Sequence, residues 1–320
     1  MKSRLMWILV CICTFILVFL GSAYLKLNPP FASDPHDVEW DESVGSIYTD
    51  LEYGDEELNN FDLYVPADNS RDSYGLIVYL HAGGFTMGDK SDDATILKYF
   101  ASKGYVAAGI NYSLSSEENS SNLNIMSEEI KQSIPIVKKK SEELGYNLDA
   151  MAVSGGSAGG SLALLYAYKD ADESEIPLKF VYSAVGSPNF DPSKWLGLDS
   201  SFNLEEEAEA GAVFASIMTG ENISIDMMRS GEYKKYVDKI SPYAYVSEDS
   251  VPSLVAYGTH DKLVPFITTK EYKEALENYN VPHDFIEFEK SGHGLQNEPK
   301  KTKLLNEKLD EYLEKYMPLK

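Results

Sequence analysis

Cysteine is nearly absent. Cys11 and Cys13 are the two in 320 residues, and both fall inside one uncharged stretch near the N-terminus. The rest of the chain therefore forms neither a disulfide nor a thiolate metal site. Basic residues are scarce as well: 28 Lys and Arg stand against 51 Asp and Glu, for a net charge of −23. That balance excludes the basic surface on which nucleic-acid phosphates are bound. Internal repeats and low-complexity tracts are missing as well. Only five histidines occur, so few side chains are available to exchange protons near neutral pH.

What is present is a globular composition, with 43% hydrophobic and 12% aromatic residues. The length suits one large α/β domain or two small ones. The N-terminus stands apart. Lys2 and Arg4 precede an uncharged run from Leu5 to Leu25, which as a helix would span about 31 Å, enough for a bilayer core. Residues 1–25 are thus expected to be a transmembrane anchor with the body exported. The alternative is a signal peptide cut after Gly21–Ala23, giving a secreted form. Residues 26–45, polar and proline-rich, read as a stalk or linker. Residues 46–320 read as the folded domain.

Within that domain, strands and helices alternate. Phe61–Val65 alternates apolar and polar residues, as an edge strand does. Gly75–Leu80, Tyr105–Tyr112, Ala150–Val153, Phe180–Val185, Ser253–Gly258 and Asp284–Glu289 read as strands, the first two as buried parallel ones. Residues 94–104, 123–144, 158–168, 269–279 and 301–316 read as helices, with a break or kink expected near Pro135. Repeated βα units predict a mostly parallel central sheet with helices on both faces. Residues 188–248 interrupt the alternation and are expected to form a small helical cap insertion. The charge run Glu205–Glu209 reads as a solvated helix face.

The stretch from Val153 to Ser161, VSGGSAGGS, surrounds Ser157 with glycine. Gly155-Gly156-Ser157-Ala158-Gly159 fits G-x-S-x-G and lies between a strand and a helix, the setting in which a serine is projected from a tight turn. A nucleophile of this kind needs a base, an orienting acid and donors for an oxyanion. Of the five histidines, His293 has the fitting place, on a loop after the last strand. Asp261 lies on the loop after Ser253–Gly258, so the chain order is Ser, Asp, His. The sequence HAGGF, His81 to Phe85, directly follows a strand. Its Gly83 and Gly84, together with Ala158, are the candidate backbone donors to an oxyanion. His81 is expected to tie that loop rather than act as a base.

The four blocks LHAGGF, VSGGSAGG, GTHDKLVP and SGHG, in this order, resemble those of α/β-hydrolases. The closer resemblance is to the hormone-sensitive-lipase-like and related carbohydrate-esterase groups. It covers roughly residues 46–317. It implies the α/β-hydrolase fold, a Ser157–Asp261–His293 triad, an oxyanion loop at Gly83 and Gly84, and hydrolysis of small-molecule or carbohydrate esters without metal or organic cofactor. Ala82 replaces the usual first glycine of HGGG. Gly156 replaces the usual Asp or His before the serine. The alternatives are an exported serine peptidase or a non-catalytic binding module on the same fold.

Overall fold

The structure, a computed structural model, describes residues 36–116 and 119–319. The apolar segment 1–25 and residues 26–35 of the predicted linker lie outside the described residues. Among the described residues, no helix is long and apolar enough to cross a membrane.

Apolar runs with period two build the centre. In β3 (Tyr74–Leu80), Leu76, Val78 and Leu80 face one core layer while Ile77 faces the other. Strands β4 (Val106–Ile110), β5 (Leu148–Gly156), β6 (Leu178–Ala184) and β7 (Ser253–Gly258) divide their side chains the same way. Both faces are therefore covered, as a parallel sheet requires. Helix α2 (Leu123–Glu143), α3 (Ala158–Leu165) and α8 (Lys270–Asn278) bury apolar residues in the first layer. Helix α1 (Ala94–Ser102) and α9 (Pro299–Tyr316) bury theirs in the second.

With β1 (Gly45–Glu52), β2 (Asn60–Pro66) and β8 (His283–Phe288), the sheet has eight strands in the order β1-β2-β4-β3-β5-β6-β7-β8. The β1–β2 and β2–β4 pairs are antiparallel and every other pair is parallel. Together with its helices, this is the α/β-hydrolase fold. Val38–Lys320 forms one compact unit. It takes in the last residues of the predicted linker, where Trp40 packs edge-on against Tyr64 at 6.3 Å between ring centroids.

One expectation is corrected. Phe61–Val65 is not at the edge: β1 lies outside β2. The polar residue that suggested solvent, Asp62, is 4% exposed. It is compensated by the buried Lys90 ammonium at 3.2 Å and by the Asp50 N–H at 2.9 Å. Burying a carboxylate is tolerated when it is paired and hydrogen-bonded in this way. Of the break or kink expected near Pro135, no break occurs: α2 runs through it as one helix. Proline there removes one backbone hydrogen bond, but buried Ile134 and Val137 on either side hold the helix against the sheet.

Residues 188–248, between β6 and β7, contain helices and no strand. The α-helices are α4 (Pro192–Leu196), α5 (Glu205–Thr219), α6 (Ile225–Ser230) and α7 (Lys234–Val237). Glu205, Glu206 and Glu207 occupy the first turn of α5, where carboxylates interact favourably with the helix dipole.

Candidate active site

Strand β5 ends at Gly156, α3 begins at Ala158, and Ser157 joins them with φ +52° and ψ −117°. An L-residue in that region is strained. The turn is held by the Ser157 N–H, which donates to Ala184 O at 2.8 Å, and by Ser157 O, which accepts the Ser161 N–H at 3.0 Å. The glycines around it allow close approach. A Cβ on Gly159 would lie 1.9 Å from Leu80 O, and one on Gly155 would lie 2.5 Å from the Gly159 carbonyl carbon. One on Gly160 would lie 2.7 Å from Ser183 Oγ. Gly156 has open space around its would-be Cβ, so packing does not demand glycine there.

Ser157 Oγ lies 2.8 Å from His293 Nε2, and His293 Nδ1 lies 2.7 Å from Asp261 Oδ2. A carboxylate only accepts, so Nδ1 carries the proton and donates to Asp261. The neutral ring then leaves Nε2 free to accept from the serine hydroxyl. The second Asp261 oxygen accepts the N–H groups of Leu263 at 2.8 Å and Val264 at 3.0 Å. The Asp261 side chain is 3% exposed and that of His293 is 22% exposed. The acid is thus buried and fully engaged, while the imidazole remains open to the cavity.

The two loops that carry them are fastened to each other. The His260 N–H donates to Ser291 O at 3.1 Å, and a Cβ on Gly258 would lie 2.3 Å from Gly292 O. Glu298 closes the histidine loop by accepting from the Lys290 N–H at 2.8 Å and the Ser291 hydroxyl at 3.0 Å.

The segment from His81 to Phe85 forms a tight loop at the end of β3. Gly83 has φ +133° and Gly84 has φ +60°. Gly83 O accepts the Met87 N–H at 3.1 Å, and a Cβ on Gly83 would lie 1.8 Å from Met87 O. Glycine is required at that position by both space and dihedral angle. His81 is 1% exposed, its Nδ1 lies 2.7 Å from Ala82 O, and its ring stacks on Tyr112 at 4.2 Å. Burial pushes the His81 imidazole below its ordinary pKa, which favours the neutral ring. His260 is exposed and its Nδ1 pairs with Thr259 Oγ1 at 3.1 Å. His283 Nδ1 lies 2.8 Å from Val281 O, away from this site.

A cavity of about 540 Å³ opens onto Gly83, Gly84, Ser157, Ala158 and His293. Phe85, Met87, Trp195, Met218, Leu263 and Val264 supply its apolar wall. Trp195 is fixed by an N–H bond to Asn189 O at 2.8 Å and by stacking on Phe190 at 5.6 Å. Of these wall residues, Trp195 and Met218 come from the inserted helices. The insertion is legible in the sequence, but nothing local to its side chains indicates which of them reach the serine.

The fold and this constellation define an α/β-hydrolase. The chain belongs to the BD-FAE family, whose model matches residues 61–276. It is similar to the probable carboxylic ester hydrolase LipM of Mycobacterium tuberculosis, with 24% identity over 244 residues covering 71% of this chain and 51% of that protein. Esterase LipQ of the same organism is 24% identical over 63% of this chain and 46% of that protein. The chain thus spans about half the length of the curated relatives it matches. Among solved structures, esterase Est2 of Thermogutta terrifontis superimposes with a TM-score of 0.65 at 21% identity, covering 87% of this chain and 95% of that one.

Proposed function

We propose that this chain is a serine carboxylic-ester hydrolase that works through an acyl-enzyme. The observation that carries the reading is the unbroken hydrogen-bonded series Ser157–His293–Asp261 opening onto a cavity. His293 Nε2 takes the Ser157 proton as Oγ attacks the ester carbonyl. The carbonyl oxygen becomes an oxyanion facing the N–H groups of Gly83, Gly84 and Ala158, the last at a helix N-terminus whose dipole favours negative charge. The intermediate collapses, the alkoxide leaves, and His293 returns the proton to it. Water then repeats the cycle on the acyl-serine, releasing the acid and restoring the hydroxyl. Asp261 holds the ring tautomer and stabilises the imidazolium.

The family and the esterase relatives support ester hydrolysis over peptide hydrolysis. The apolar wall, which contains no charged side chain, supports a neutral substrate with an apolar acyl or alcohol group. The basic start and uncharged run of residues 1–25 support action outside the cytoplasmic membrane. The test is fluorophosphonate labelling with hydrolysis of p-nitrophenyl esters of graded chain length. Wild type is expected to label at one site and turn over. Ser157→Ala is expected to do neither while staying folded, and full activity in that variant would overturn the assignment.

A further inference from the structure

Glu129 lies on α2, outside the cavity and out of contact with Ser157, yet it is 7% exposed. Its carboxylate is fully committed. Oε2 accepts the Ser113 N–H at 2.8 Å, and Oε1 accepts the Ser113 hydroxyl at 2.6 Å and the Asn59 side-chain amide at 3.0 Å. Two of these three bonds fall on a single residue of the loop that leaves β4. Buried carboxylates are costly unless satisfied in this way, and here Glu129 holds Ser113 by both its backbone and its side chain.

The same loop braces the candidate oxyanion segment at both ends. The Tyr112 hydroxyl donates to His81 O at 2.8 Å, and its ring stacks on the His81 imidazole at an interplanar angle of 6°. Three residues further on, the Ser115 N–H donates to Phe85 O at 2.8 Å. His81 and Phe85 flank Ala82, Gly83 and Gly84. Ser113, the residue Glu129 holds, sits between the two braces. Glycine-rich backbone with positive φ at Gly83 and Gly84 has more conformational freedom than any other, so external bracing decides where its N–H groups point.

We propose that Glu129 is a positioning residue for the oxyanion loop, acting through Ser113 and the braces at Tyr112 and Ser115. The proposal rests on the ester-hydrolase reading above. Glu129→Gln keeps the side-chain shape but turns one acceptor into a donor. Either the Ser113 N–H or the Ser113 hydroxyl and Asn59 amide then face an N–H₂ group. A brace displaced by a fraction of an ångström acts on the transition state more than on substrate binding, and small misplacements of this kind cost up to about 100-fold.

The experiment compares wild type, Glu129→Gln, Ser113→Ala and Ser157→Ala on one activated ester, with active sites counted by fluorophosphonate titration and temperatures kept below each unfolding midpoint. The affinity of a trifluoromethyl ketone, which forms the oxyanion covalently on the serine, is measured in parallel. Glu129→Gln is expected to lose about tenfold in kcat per titrated site with KM nearly unchanged. Ketone affinity should fall by a similar factor. Ser113→Ala keeps its N–H bond to Glu129 and should lose less in the same pattern. It decides the question if Glu129→Gln does not fold. Unchanged kcat per site in the folded variants would overturn the proposal. So would a loss confined to the number of titratable sites, since that is a stability effect alone. Activity persisting in Ser157→Ala would instead overturn the ester-hydrolase reading, a distinct result.

Discussion

His293 and Asp261 meet at 2.7 Å although 32 residues separate them, and Asp261 spends its other oxygen on the Leu263 and Val264 N–H groups. The carboxylate is therefore clamped by its own loop before the histidine arrives. Asp261→Asn keeps the shape but offers an N–H₂ to groups that need an acceptor, either the imidazole Nδ1–H or the two backbone donors. In serine proteases the equivalent change costs about 10⁴ in kcat through the wrong histidine tautomer, and a loss of several orders of magnitude is expected here. His260→Ala should cost far less, because His260 is exposed and touches Thr259 rather than the site. Steady-state kcat of both variants on one ester checks this. A dead histidine variant beside a nearly normal asparagine variant would place the acid elsewhere.

The glycines of the site should separate by mechanism. Gly159→Ala forces a Cβ to 1.9 Å from Leu80 O, which is backbone and gives way only if β3 and α3 move apart. Overpacking of this kind costs about 1–3 kcal/mol or more, so the thermal midpoint and soluble yield should drop. A Cβ on Gly84 meets nothing within 4 Å, yet its φ is +60°, which a β-branched residue resists. Gly84→Val should therefore leave the protein folded and lower kcat more than KM, by about 10²–10³ if one oxyanion donor is lost. Chemical denaturation alongside kinetics distinguishes the two variants.

Asp93, at the start of α1, has a buried Oδ2 without a hydrogen-bond partner. Burial, and then the charge of Asp92, push its pKa up to about 7. Its folded pKa is thus raised above an unfolded value of about 3.9, so the native state binds the extra proton between those limits. The ionised form is penalised, and stability falls as pH rises from about 4 to about 7. Asp93→Asn should gain on the order of a few kcal/mol above pH 7 and little at pH 4. Urea unfolding at both pH values checks this, and an equal gain at both would show that the charge is not the cause.

Legibility followed the physics of each segment. Strands β3, β4, β5 and β7 were readable because buried parallel strands are short apolar runs bounded by turns, and Ser253–Gly258 coincides with β7. Strand β1 was missed because GSIYTDLE is half exposed and lacks strict alternation. Asp62 misled because its compensating Lys90 is distant in sequence. At the site, Ser157, His293 and Asp261 were legible because chain order and strand ends restrict where such groups occur. Trp195, Met218 and Glu129 were not, because nothing local to them indicates which loop or cavity they reach.

Trp195 should set the size of group the cavity accepts. It is held by Asn189 O and packed between Phe190 at 5.6 Å and Phe214 at 5.4 Å, so it is a fixed wall rather than a mobile flap. Its removal opens space that the clamped neighbours cannot refill, and a short ester loses apolar contact. Contacts of one or two methylenes in such a pocket are worth about 1–3 kcal/mol. Trp195→Ala should therefore lower kcat/KM for short p-nitrophenyl esters by about tenfold or more, and the optimum of the series should move to longer chains. The Ser157–His293 bond does not involve Trp195, so fluorophosphonate labelling should remain complete. A uniform loss across all chain lengths, with no change in optimum, would mean that Trp195 supports the fold of the inserted helices and does not bound the substrate.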